Sequence, residues 1–262
     1  MAATITLTSA PPSAHLVWES GDLPAGTHTI EVTRSFDGQA DVVRGTHGGL
    51  FADGGAVLDD YEIPVGVSVS YVAEAFDSSG VSLGTVTALT GTIPAPDPSV
   101  VWLSDPTNPS LVVAVTAEVG FAAAVTRSRA SQTYQVGDRV VALLGEMGKR
   151  KGVPLSVISM TADVTAALDT LLTQTAILVR TAPPMRLPRL LYVIIADINE
   201  NPLGWDGESS LWDLTGDEID TTTLDILVPV TTYQTYMDAF ATYADAMAAY
   251  ATYFDAIKNP PA

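Results

Sequence analysis

Short runs of alternating apolar and polar residues fill the first third of the chain. "HLVWES", "THTIEVTRSF", "DVVRG" and "GVSVSYVAEAF" each repeat with a period of two, and in the last of them Val67, Val69, Tyr71, Ala73 and Ala75 share one face. That alternation marks strands with one buried and one wet face. The segments "SGDLPAG", "FDGQ", "THGG", "ADGG" and "DSSG" separate the runs and supply turn residues. Six or seven short strands within residues 1–93 predict a β-sandwich. Pro94, Pro96 and Pro98 then predict an extended, semi-rigid linker over residues 94–100.

The strand pattern resumes with "VWLSDPTNPSLVVAVT", and "TYQVGDRVVALLGEMGKRKGVPLSVISM" predicts a pair of strands around a basic, glycine-flanked turn. The period then changes. Val164, Ala167, Leu168, Leu171 and Leu172 recur at helical spacing, Thr161 is a candidate cap and Asp163 suits the positive end of the helix dipole, so a helix is predicted over 162–174. "AILVRTA", "LLYVIIADIN", "SLWDLTGDEID" and "LDILVPV" follow as strands. Residues 101–230 therefore read as a β-barrel or sandwich with one helix packed across it.

Residues 231–258 hold a ladder of tyrosines, with Thr-Tyr-x-Asp-Ala beginning at Thr235, Thr242 and Thr252. Two readings fit. As one helix, the segment places Tyr233, Phe240, Met247 and Phe254 at a positions and Tyr236, Tyr243, Tyr250 and Ile257 at d positions of a heptad seam. As a series of steps, each threonine caps a new short helix, with Asp238, Asp245 and Asp255 three residues on. Either way the aromatic stripe needs a covering surface, supplied by this chain or by a second one.

Composition removes several classes of function. The chain has no cysteine, which excludes thiolate chemistry and suits synthesis in a reducing cytoplasm. "MAATITLTSAPPSAH" lacks a basic n-region and an apolar h-region, so no signal peptide is predicted, and no apolar run is long and uninterrupted enough to insert in a membrane. The net charge of −18 argues against nucleic-acid binding, where clustered bases neutralise phosphates. Nine of the 12 bases lie between residues 127 and 196. Within that belt Lys149, Arg150 and Lys151 read as an exposed turn or as a contact for an acidic neighbouring copy.

Candidate chemistry is sparse. "DINENPLGWDGE" sets Asp197, Asn199, Asn201 and Glu208 at positions 1, 3, 5 and 12 of a calcium loop, but the sixth position needs φ > 0 and here is Pro202. A strand leads into it, and the segment reads as an acidic strand-to-strand loop. His15, His28 and His47 belong to no metal or nucleophile motif, and no Gly-x-Ser-x-Gly elbow or phosphate loop occurs. No catalytic residue, metal or cofactor is expected, and the chain is read as a non-enzyme.

Trp18, followed by "DDYEIPVGVSVSYVAEAFDSSGVS" with its Tyr71 strand and Asp77-x-x-Gly80 turn, resembles a fibronectin type III repeat. The order of "VVRGT", "VWLSDPTNPSL", "GKRKGVPLSVISMTADVTAALDTLLTQTAILVRTA", "LLYVIIADI", "LWDLTGDEID" and "ATYADAMAAYATYFDAI" resembles the minor tail proteins of siphophages that infect actinobacteria. The central domain is similar in pattern to the ring-forming β-domains of distal tail proteins. The terminal repeat departs from relatives by carrying Tyr where Trp is common. The resemblance implies a structural virion component of the tail tip that assembles through its β-domain and through the aromatic C-terminal segment, made in the host cytoplasm, with other tail-tip proteins as partners and a trimeric or hexameric homo-oligomer. A second reading gives the fibronectin-like domain a host-surface glycan or protein to bind.

Overall fold

The computed structural model describes residues 3–136, 138–205, 207–220, 233–240, 242–250 and 252–259. The chain is mainly β and divides into two compact units. One comprises Met1–Pro96, Pro106–Ser110 and Thr223–Ala262, the other Asp97–Asp105 and Leu111–Thr222.

Among its described residues the first unit holds nine strands: β1 (Thr4–Ser9), β2 (Pro12–Glu19), β3 (Thr29–Phe36), β4 (Gln39–Val42), β5 (Leu50–Phe51), β6 (Gly55–Asp60), β7 (Ser68–Phe76), β8 (Ser82–Thr85) and β9 (Leu89–Thr92). They form two antiparallel sheets, one ordered β1-β2-β6, the other β4-β3-β7-β8 with β5 on β3 and β9 on β7. Period-two burial decides which face turns inward. Val69, Tyr71, Ala73 and Ala75 of β7 and Ile30 and Val32 of β3 are buried from one sheet, Leu16, Trp18 and Leu58 from the other. The turn after β7 is held by Asp77, whose Oδ1 accepts from the amides of Ser79 (2.8 Å) and Val81 (2.9 Å), while Gly80 adopts φ +79°.

Charge also enters this core. The Arg34 guanidinium donates to both carboxylate oxygens of Asp60 at 2.8 Å, and both side chains are at most 2% exposed. Tyr71 donates its hydroxyl to Asp60 at 2.7 Å, the Glu62 amide donates to Asp60 at 2.9 Å, and Arg44 donates to Glu62 at 2.9 Å. Burial, then the Asp60 charge, push the Tyr71 hydroxyl far above the usual tyrosine range. Removing one member of such a buried pair strands its partner at a cost of about 3–5 kcal/mol, so the network specifies this core more than it adds stability.

The second unit contains β10 (Val100–Ser104), β11 (Val112–Ala117), β12 (Thr126–Arg127), β13 (Ser131–Val136), β14 (Arg139–Leu144), β15 (Arg150–Lys151), β16 (Val153–Ser159), α1 (Ala162–Leu172), β17 (Ile177–Arg180), β18 (Leu190–Pro202) and β19 (Ser210–Glu218). Six of these strands close into an antiparallel barrel, β10-β11-β16-β19-β18-β17. Its interior takes alternate residues such as Val101 and Leu103, Val153, Leu155 and Val157, and Trp212 and Leu214. Helix α1 adds Leu168, Leu171 and Leu172 to that core. It starts where the Thr161 hydroxyl accepts from the Val164 amide at 3.3 Å, with Asp163 in its first turn. Trp212 keeps its indole satisfied inside by donating to Ser159 Oγ at 3.0 Å.

The turn expected at "GEMGKRKG" lies elsewhere. The hairpin β13–β14 reverses between Val136 and Arg139, and the glycine-flanked basic segment is part of its returning side. The strand predicted at "LDILVPV" lies outside the described residues.

Three short helices end the described chain within the first unit: α2 (Tyr233–Ala239), α3 (Tyr243–Ala249) and α4 (Tyr253–Lys258). Of the two readings of the ladder, the structure has the steps. Thr242 and Thr252 cap α3 and α4 in extended conformation, and Thr252 with Asp255 forms a full capping box. Thr235 differs from expectation because α2 already runs through it.

Candidate functional site

Between β11 and β16 the chain leaves the barrel as a long antiparallel arm. Its base pairs Thr126 with Lys151 and Arg127 with Arg150, and its outer part pairs Ser131–Val136 with Arg139–Leu144. The stretch joining them is held by the amides of Gly145 and Gly148, which donate to the carbonyls of Ala130 and Ser128 at 2.8 Å. Gly148 is dictated by this approach, since a Cβ there would stand 2.8 Å from the Ser128 carbonyl oxygen. Every described side chain from Ala123 to Lys149 is exposed. Cross-strand register puts Tyr134 and Leu143 on one face of the ribbon and Leu144 on the other, with Leu143 and Leu144 each about 60% exposed. A two-stranded ribbon with apolar residues on both faces and no third layer is marginal in water.

The arm is also the basic part of an acidic chain. Residues 126–151 carry Arg127, Arg129, Arg139, Lys149, Arg150 and Lys151 against Asp138 and Glu146, leaving six bases and 28 acids elsewhere. Two of the three residues expected to form a contact are engaged at the base. Lys149 pairs with Asp220 at 2.5 Å, and Arg150 donates to Glu218 at 3.0 Å through its side chain and 2.8 Å through its amide. Lys151 is exposed.

Three described aromatics of the terminal segment, Tyr236, Phe240 and Tyr250, meet one another. Tyr250 sits edge-on to Tyr236 and Phe240, with centroids 6.2 and 5.9 Å away. The Tyr236 hydroxyl donates to the Ala256 carbonyl at 2.8 Å, and that of Tyr250 to Asn259 at 2.9 Å, so α2, α3 and α4 are tied by side chains that also fill the space between them. Met247 and Ile257 are exposed. Among the eight seam residues, the side chains of Tyr233, Tyr243 and Phe254 lie outside the described part.

Helix α4 fastens to the sheet β1-β2-β6. His15 of β2 stands directly opposite Asp59 of β6, with Nδ1 2.7 Å from Asp59 Oδ1 and Nε2 3.1 Å from the carbonyl oxygen of Lys258. The Lys258 ammonium pairs with Glu19, four residues along β2 on the same face. The hydrogen bond that the ring donates to the Asp59 carboxylate raises the His15 pKa above its ordinary 6.5 against the opposing effect of burial. Desolvation and the same carboxylate push Tyr61 up to about 12.

The calcium candidate is corrected by geometry. Asp197, Asn199 and Asn201 occupy alternate positions of β18, paired with Thr215, Asp213 and Leu211. At about 3.3 Å per residue, Asp197 and Asn201 stand roughly 13 Å apart, too far to share an ion whose ligand distances are about 2.4 Å. Glu208 lies past the turn that follows β18. Of the three histidines, His15 is held between Asp59 and Lys258, His28 meets Phe51 edge-on at 5.2 Å, and His47 is exposed. Sequence reasoning missed Trp205, fully exposed at the tip of the β18–β19 hairpin beside Leu203. The adjacent "PLG" and "DG" turn residues were the available signal.

Comparison of the chain with protein-family models, with characterised proteins and with solved structures finds no match.

Proposed function

We propose that the chain is a structural component of a phage tail tip, a minor tail protein that self-assembles through the β13–β14 arm. The observation that carries assembly is the arm itself, a ribbon apolar on both faces, exposed along its length and opposite in charge to the rest of the chain. A second copy supplies what the arm needs, because the rest of each copy is strongly acidic and complementary fields guide and register subunits. On this reading the protein works by burial and register, without catalysis or cofactor.

The tail-tip part rests on the order of sequence motifs, and the architecture is consistent with it. Two antiparallel sheets in the order β1-β2-β6 and β4-β3-β7-β8, with Trp18 and Tyr71 buried between them, support a fibronectin type III-like first domain. A closed barrel with one packed helix supports a distal-tail-protein-like second domain. The second reading, a host-surface glycan bound by the fibronectin-like domain, draws on Phe51, 61% exposed against His28.

Sedimentation equilibrium of the full chain and of a Leu143→Asp, Leu144→Asp variant tests assembly. A defined oligomer reduced to a folded monomer by the two substitutions supports the arm. Equal association of both proteins, or a monomeric wild-type chain, overturns it. Loss of a soluble cell-wall glycan's binding on Phe51→Ala would favour the second reading.

A further inference from the structure

We infer that His15 is a proton-operated clasp that holds the C-terminal helices on the β1-β2-β6 sheet, closing when the imidazole is protonated and loosening when it is neutral. The argument is donor arithmetic. Both ring nitrogens face acceptors, the Asp59 carboxylate at 2.7 Å and the Lys258 carbonyl at 3.1 Å. A neutral imidazole owns one N–H, so either tautomer points a lone pair at an oxygen that has no proton to give. Only the imidazolium donates to both.

The surrounding groups favour that reading. Strand β6 contributes Asp59, with Tyr61 just beyond it held protonated to about 12. From α4 come Lys258, already paired with Glu19 of β2, and Asp255, engaged by the Thr252 cap. Strand β1 sets Thr6 opposite His15 and brings no charged residue. Asp59 is thus the anion that accompanies the His15 proton, and its hydrogen bond is the largest cause of the raised pKa. The sign follows from linkage: the contribution is fully present below His15's ordinary 6.5 and is lost as pH rises through the raised value. The segment that loosens carries the Tyr236, Phe240 and Tyr250 cluster, and the clasp stands whether or not the arm mediates assembly.

Amide hydrogen exchange on the full chain, corrected for intrinsic rates between pH 5.5 and 8.5, tests it. Protection at Ala256 and Asn259, whose amides are bonded within α4, is expected to fall about tenfold or more through the titration, with β3–β7 amides unchanged as the control for folding. His15→Gln should give low protection with no titration, and Asp59→Asn should move the midpoint down. A flat profile in the wild-type chain, or a titration that survives His15→Gln, overturns the clasp.

Discussion

The arm and the terminal helices both carry residues that ask for a covering surface; the helices supply part of theirs themselves, whereas on the proposed reading the arm takes its cover from a second copy. The helices fold back: Tyr236, Phe240 and Tyr250 meet one another, two tyrosine hydroxyls bridge between helices, and α4 is pinned at His15 and Glu19. The arm has Tyr134, Leu143 and Leu144 standing exposed along a two-stranded ribbon. Aromatic content therefore says that a segment will be covered, while backbone form says by what. Three helices of six or seven residues can wrap a shared centre, whereas a straight ribbon has no means of covering both its own faces.

The largest expected effect separates the two regions outright. Burying a leucine is worth about 1.5–3 kcal/mol. Replacing Leu143 and Leu144 by Asp should weaken self-association at least about a hundredfold. Unfolding of the barrel unit should shift by only about 0.5 kcal/mol, as exposed substitutions do. Sedimentation and thermal melts on the same samples read both quantities. Tyr250→Ala should do the reverse. It removes two ring contacts and a hydrogen bond, so the terminal helices should lose about 1–3 kcal/mol of local stability, seen as a ten- to hundredfold drop in exchange protection at Phe240 and Asn259. Association should stay as it was. A Tyr250→Ala chain that no longer assembles would place the contact on the helices and break the contrast.

How much of this was legible follows from the range over which each feature is determined. β7 could be read directly from "GVSVSYVAEAF", and α1 from Thr161, Asp163 and its leucines, because period and cap are local. β1 is hard to read because "TITLTS" offers only two large apolar residues, Ile5 and Leu7, alternating with threonines. β6 was lost because "GAVLDD" ends in two acids, one of which, Asp60, is buried against partners that include Arg34, 26 positions away. The clasp is further still from local pattern: His15 meets Asp59 at a separation of 44 and Lys258 at 243. The arm's "RVVALL" reads like any core strand, and nothing local marks it as lying off the barrel. The segment read as an acidic loop after "LLYVIIAD" is strand through Pro202, because pairing with β19 continues there although the residues turn polar.

The smallest expected effect asks whether the terminal helices are independent steps or one cooperative element. Thr252 caps α4 by accepting from the Asp255 amide at 3.1 Å while Asp255 accepts from the Thr252 amide at 3.0 Å. Thr242 caps α3 separately, accepting from Asp245 at 3.2 Å. Thr252→Ala should therefore cost about 1 kcal/mol. That corresponds to roughly a fivefold loss of protection at Ala256 and Asn259, with the α3 amide-bonded Tyr250 little changed. Equal loss in α3 and α4 would mean that the tyrosine bridges couple the three helices into one unit, which then folds or detaches as a whole. Arm-mediated association, as proposed, should be unaffected by either outcome, because the caps and the ribbon belong to different units of the chain. That insensitivity would separate the proposed arm contact from the cluster that Tyr236, Phe240 and Tyr250 form among themselves.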